Sequence, residues 1–125
     1  MAVPRLLELD DLDPQRLGRI LDRATAWKAA PDTVPAALAG RAVAALFEKP
    51  SARTRISVEV AVATLGGHPI YIRGEEVGLD VRESVEDVAR TMAGMCGLVA
   101  ARVFDHGALE RMAAVSTVPV VNLLS

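Results

Sequence analysis

The sequence predicts an α/β fold: a parallel sheet of about four strands with helices on both faces. Three observations carry that reading. Short apolar runs without polar alternation recur, Ala42 to Leu46 and Leu98 to Val103 among them, as expected of strands covered on both sides. Stretches of helical periodicity separate them. In order, the chain reads helix, then strand and helix three times over, then strand, the succession of a parallel sheet joined by crossovers. Hydrophobic residues fill 51% of the 125 positions and aromatics only 3%, so the core is expected to be aliphatic, mostly Val, Leu and Ala.

Asp13-Pro14 opens the first helix, a capping carboxylate followed by Pro at the first helical position. Leu17, Ile20, Leu21, Ala24 and Trp27 follow at helical spacing and predict one apolar stripe, with Trp27 a core or interface anchor. Pro31 and Pro35 end the helix, and a linker runs to Gly40. Ala42 to Leu46 predicts a central strand. The helix from Ala52 to Leu65 sets Ile56, Val60 and Ala63 on one face. Gly66-Gly67 closes it, since Gly accepts the left-handed conformation of a helix end. His68 to Arg73 predicts the second strand, with His68 a structural or surface group. Gly74 to Arg82 reads as a charged loop. Ser84-x-x-Asp87 has the pattern of a capping box, and Val85, Val88, Ala89 and Met92 form the next stripe, which Gly94 and Gly97 bracket. Leu98 to Val103 is the third strand, broken by Arg102. Asp105 caps a short helix carrying Leu109, Met112 and Ala113. Met92, Met95 and Met112 are core fillers. Val118 to Asn122 is the last strand, and Pro119 implies an edge position or a strand beginning.

Composition narrows the function. A net charge of −2, with no basic run and no aromatic-interleaved patch, argues against general nucleic-acid binding. The lone Cys96 excludes an internal disulfide and any multi-cysteine metal site, and is expected as a buried structural thiol. No apolar run reaches the roughly 18–20 residues of a membrane span, so no membrane partner is expected and the cytosol is the expected compartment. Neither Gly-x-x-x-x-Gly-Lys-Ser/Thr nor Gly-x-Gly-x-x-Gly occurs.

The densest chemistry lies in Phe47-Glu48-Lys49-Pro50-Ser51-Ala52-Arg53-Thr54-Arg55, at the turn from strand to helix. The first N–H groups of a helix are unpaired and carry partial positive charge. Hydroxyls from Ser51 and Thr54 and guanidinium groups from Arg53 and Arg55 add donors, which predicts a site for a phosphate-like anion. Arg102 closes an otherwise apolar strand. A charge there is costly if buried alone, so it is expected to face the cleft at the strand end, or to pair with Asp105.

The run Phe47 to Arg55 resembles the carbamoyl phosphate loop of the aspartate/ornithine carbamoyltransferase superfamily, Phe-x-x-Pro-Ser-Thr-Arg-Thr-Arg. Glu59, Leu65-Gly66-Gly67-His68 and Glu83 to Arg90 continue the likeness, and Glu48-Lys49 with Gly67-His68 is similar to the ornithine branch. The resemblance implies that residues 1–125 are a carbamoyl phosphate-binding domain, incomplete, lacking the His-Pro-x-Gln segment and the amino-acid-binding domain that follow in the family. It implies that Ser51, Arg53, Thr54 and the main-chain N–H of Ala52 hold the phosphate. Arg102 would reach the carbonyl oxygen and a phosphate oxygen, and Arg55 would mainly brace the loop through nearby carboxylates. With Arg102 and Arg53 as catalytic groups, the implied reaction passes the carbamoyl group to the side-chain amine of ornithine, giving citrulline and phosphate, a step of arginine biosynthesis. No cofactor or metal is implied. A homotrimer is, and the amino-acid acceptor would bind through the missing domain. An aspartate or other-acceptor carbamoyltransferase, and a non-catalytic anion-binding module, are the alternatives. Two departures stand out. Ala52 replaces the family's usual Thr, and the Gln that the family carries before Ser84 has no clear counterpart, Glu76 being nearest.

Overall fold

A segment of apolar side chains leaves its backbone N–H and C=O groups to be satisfied by neighbouring backbone, which a β-ladder does. The structure, a computed structural model describing residues 3–125, uses the apolar runs in that way. Strands β1 (Arg5–Leu6), β2 (Ala42–Phe47), β3 (His68–Arg73), β4 (Leu98–Arg102) and β5 (Val120–Asn122) form one sheet of order β1-β5-β4-β2-β3. All four pairings are parallel. The sheet is thus the expected parallel one, with five strands where about four were predicted. The extra one, β1, is two residues long, too short to announce itself by periodicity.

Helices α1 (Pro14–Ala29), α2 (Ala52–Thr64), α3 (Gly74–Val77), α4 (Val85–Met95) and α5 (His106–Val115) connect them. The predicted caps form: Asp13 accepts from the Arg16 N–H, Ser84 from the Asp87 N–H and Asp105 from the Gly107 N–H. Gly66 takes φ +84° just beyond α2, as a helix end of this kind requires. Residues 74–77, expected as loop, form the single turn α3. Pro119 precedes an interior strand, so it marks a strand beginning and not an edge.

Alternation along β2 shows the two faces. Ala44 and Leu46 join Val99, Ala101 and Val103 in a core cluster with Val85, Val88, Met92, Leu109 and Met112 of α4 and α5. On the other face Tyr71, in register with Ala45, lies under the guanidinium of Arg55 from α2, 4.0 Å from the ring centroid. Helices therefore cover both faces, but unequally. Only Val62 of α2 is buried, and the face carrying Ile56 and Val60 is exposed. The apolar stripe of α1 buries no residue, and Trp27 is half-buried beside α2. Met95 is exposed and is not the core filler expected, while Cys96, expected to be buried, is half-buried and packs against the core cluster. Partial burial still pushes the Cys96 thiol up from its ordinary value.

Candidate functional site

The sheet order contains a reversal. From β2 the chain crosses through α2 to β3 on one side, and from β4 it crosses through α5 to β5 on the other. Connections diverge above the carboxyl ends of β2 and β4, the position at which open parallel sheets generally take their ligands. Phe47 and Arg102, the last residues of those strands, are register partners. The loop carrying Ser51 to Thr54 leaves from the first and the isolated Arg ends the second. Residues 55 positions apart in sequence are thereby neighbours at one strand end.

Ser51 is the N-cap of α2 with extended φ/ψ (−158°, 98°), yet its side chain caps no N–H. Its hydroxyl instead donates to Thr54 Oγ1 at 3.0 Å. The first-turn N–H groups, which have no intrahelical acceptor, are left free for a ligand. The Thr54 proton is free as well. Ser51 and Thr54 are half-buried, and Ala52 and Arg53 are exposed, so the donors face a rim and not a core. Arg53 pairs with no carboxylate among the described residues.

Arg102 is half-buried, and its Nη1 reaches the Leu123 carbonyl at a long 3.4 Å. Its Nε is shielded from solvent and has no partner. A buried donor without an acceptor costs roughly 1–3 kcal/mol, so its retention points to an acceptor supplied from outside the chain. The alternative partner, Asp105, is engaged as the cap of α5.

The remaining residues of the motif have other tasks. Arg55 is committed to Tyr71 of β3 and to Glu59 of its own helix, 3.0 Å away. Glu76 pairs with Arg73 at 3.2 Å. Glu48, which with Lys49 marks the likeness to the ornithine branch, carries no predicted role in the site. Its N–H donates to the Arg102 carbonyl at 2.8 Å and its Oε1 accepts from the Phe104 N–H at 3.1 Å. A carboxylate directly after a central strand, where no helix or ladder uses it, was the available signal. Elsewhere, Glu8, His106 and Glu110 bring one potential metal-ligand atom each within 4.8 Å of one another. The two carboxylates lie 3.1 and 3.6 Å from His106 Nε2, and Ser125 Oγ lies 2.6 Å from its Nδ1.

Residues 5–125 match the family described as "Aspartate/ornithine carbamoyltransferase, carbamoyl-P binding domain". Among curated relatives, the ornithine carbamoyltransferase of Methanocaldococcus jannaschii is 42% identical over 120 residues, covering 96% of this chain. That of Parafrankia sp. is 45% identical over 118 residues, covering 92%. The solved ornithine carbamoyltransferase of Thermus thermophilus superposes with a TM-score of 0.88 at 42% identity, over 97% of this chain and 42% of that one. That of Campylobacter jejuni gives 0.91 at 32% identity, over 98% and 40%. The chain spans only 39% of the M. jannaschii relative's length and 37% of the Parafrankia one.

Proposed function

We propose that this chain, which belongs to the aspartate/ornithine carbamoyltransferase family, binds carbamoyl phosphate at the switch point of its sheet and serves an ornithine carbamoyltransferase. One observation carries the reading: the uncapped start of α2 and the unpartnered Arg102 Nε stand at adjacent strand ends. In this reading the phosphate takes the N–H groups of the first turn of α2, the Ser51 and Thr54 hydroxyls and Arg53. Helix-start partial charge and charge-assisted bonds both favour a dianion there. Arg102 reaches the carbonyl oxygen and a phosphate oxygen.

The proposed reaction follows from those contacts. The side-chain amine of ornithine attacks the carbonyl carbon. A C–N bond forms, the C–O bond to phosphate breaks, the phosphate leaves with the electron pair, and the proton lost by the amine passes to that departing phosphate. Negative charge grows on the carbonyl oxygen and on the departing phosphate. In this reading Arg102 and the α2 donors meet those oxygens as fixed dipoles and cations, which is how preorganised groups lower a barrier. Fixing both reactants in line supplies a further part.

The acceptor amine is assigned to a further domain of the intact protein, as are citrulline formation, trimer assembly, a cytosolic location and a place in arginine biosynthesis. Support for ornithine over aspartate comes from the relatives' names and from Lys49 and Gly67-His68. The test is direct. The intact protein is assayed with carbamoyl phosphate and either ornithine or aspartate. Citrulline formation is expected; carbamoyl-aspartate formation alone contradicts the ornithine assignment, and neither product contradicts the enzyme.

A further inference from the structure

We infer that Glu48 is a positioning residue for the proposed anion site. It is a clasp that sets the distance between the donors of the Ser51 loop and the strand ending in Arg102. This inference rests on the reading just given. The first residue after β2, Glu48 is bonded twice to the segment that ends and follows β4. Its N–H donates to the Arg102 carbonyl at 2.8 Å, extending the ladder by one bond. Its side chain then crosses to the Phe104 N–H at 3.1 Å. Lys49 adds a third link, its Nζ lying 5.6 Å from the centroid of the Phe104 ring. The start of α3 closes on the same residue, since a Cβ on Gly74 would come within 2.8 Å of Glu48 Cα.

The clasp has a chemical use. Ser51 is three residues beyond Glu48 in an irregular turn, and Arg102 is two residues before Phe104. The ladder bond to Arg102 is backbone and survives loss of the side chain, but without the carboxylate the segment after β4 at Phe104 is free to move away from the turn that leads to Ser51. Donors on both sides must meet one small anion, and such contacts fall off steeply with misplacement. The carboxylate would repel a phosphate if it faced the site. The Phe104 N–H holds Oε1 and gives it an acceptor role instead.

The experiment uses the intact protein and calorimetric titration with carbamoyl phosphate. Four variants are compared with the native chain: Glu48→Ala, Glu48→Asp, Glu48→Gln and, as a control on the site itself, Ser51→Ala. Glutamine keeps an oxygen in reach of the Phe104 N–H and loses the charge. Aspartate keeps the charge and falls short by one methylene. The clasp predicts affinity lowered by roughly tenfold in Ala and Asp and near native in Gln. It also predicts faster exchange of the Phe104 amide in Ala and Asp only. Tighter binding in both Ala and Gln, the signature of simple charge repulsion, overturns it. Native affinity in Ala and Asp with weakened binding in Ser51→Ala also overturns the clasp and leaves the site standing. Native affinity in all variants, Ser51→Ala included, overturns the proposed site and the clasp with it. Should Glu48→Ala not fold, Asp against Gln carries the comparison.

Discussion

Replacing Arg102 with Met separates a ligand-binding role from a structural one. Met keeps the length and apolar bulk of the stem and removes the guanidinium. In the folded chain that guanidinium makes one long bond, 3.4 Å to the Leu123 carbonyl, and leaves Nε shielded and unpaired. Losing the bond costs at most about 1 kcal/mol, while deleting an unsatisfied buried donor returns roughly 1–3 kcal/mol. The melting temperature of Arg102→Met is therefore expected to stay level or rise. Binding moves the other way. One charge-assisted bond to an anion contributes about 1.5–3 kcal/mol, so carbamoyl phosphate affinity should fall about 10- to 150-fold. Calorimetric titration and thermal melting of the same preparation read both quantities. Affinity unchanged, or affinity and stability falling together, would refute the reasoning, because Arg102 would then be a strut of the fold.

Ala52→Thr adds a hydroxyl at the exposed first position of α2; titration should show tighter carbamoyl phosphate binding by about 1–3 kcal/mol, and no gain would remove that hydroxyl position from the site. Arg55→Gln should lower stability by no more than about 1 kcal/mol, since its contacts to Glu59 and Tyr71 are surface interactions, and should leave ligand affinity within about twofold. Arg111 holds Asp80 through bonds of 2.7 and 3.1 Å, and with help from the Val85 N–H keeps its carboxyl below the usual carboxylate range. A depressed carboxyl stabilises the fold above its unfolded value, about 4, and that contribution is lost as pH falls through the folded value. Melting curves across acid pH should accordingly show Arg111→Gln less stable near neutrality and with a shallower acid-side decline than the native chain.

Legibility from sequence followed the physics of each element. The strand at residues 68–73 and the caps at Asp13, Ser84 and Asp105 were readable because local pattern and local chemistry decide them. The stripe Val85, Val88, Ala89 and Met92 was readable because α4 lies on the deepest part of the sheet. The stripes of α1 and α2 misled: Ile20, Leu21, Ile56 and Val60 have the spacing of a buried face and are exposed. Periodicity reports that a face is apolar and is silent about what covers it. β1 was missed because two residues carry no period; its pairing to β5 joins residues more than a hundred positions apart. At the site, the residue types of Ser51 to Thr54 were legible as donors, and they are the basis of the proposed anion site. The register that sets Phe47 beside Arg102 depends on strand order, which no local pattern encodes. The bond between Glu48 and Phe104 was illegible for the same reason, since the two are distant in sequence.

The anion site is tested most directly by amide and guanidinium NMR during titration with carbamoyl phosphate. The N–H signals of Ala52, Arg53 and Thr54 should move together with the Nε–H signal of Arg102, saturating at one ligand per chain, as an unpartnered donor gains an acceptor. Saturable binding that leaves the Arg102 Nε–H and the first turn of α2 unmoved would contradict the site.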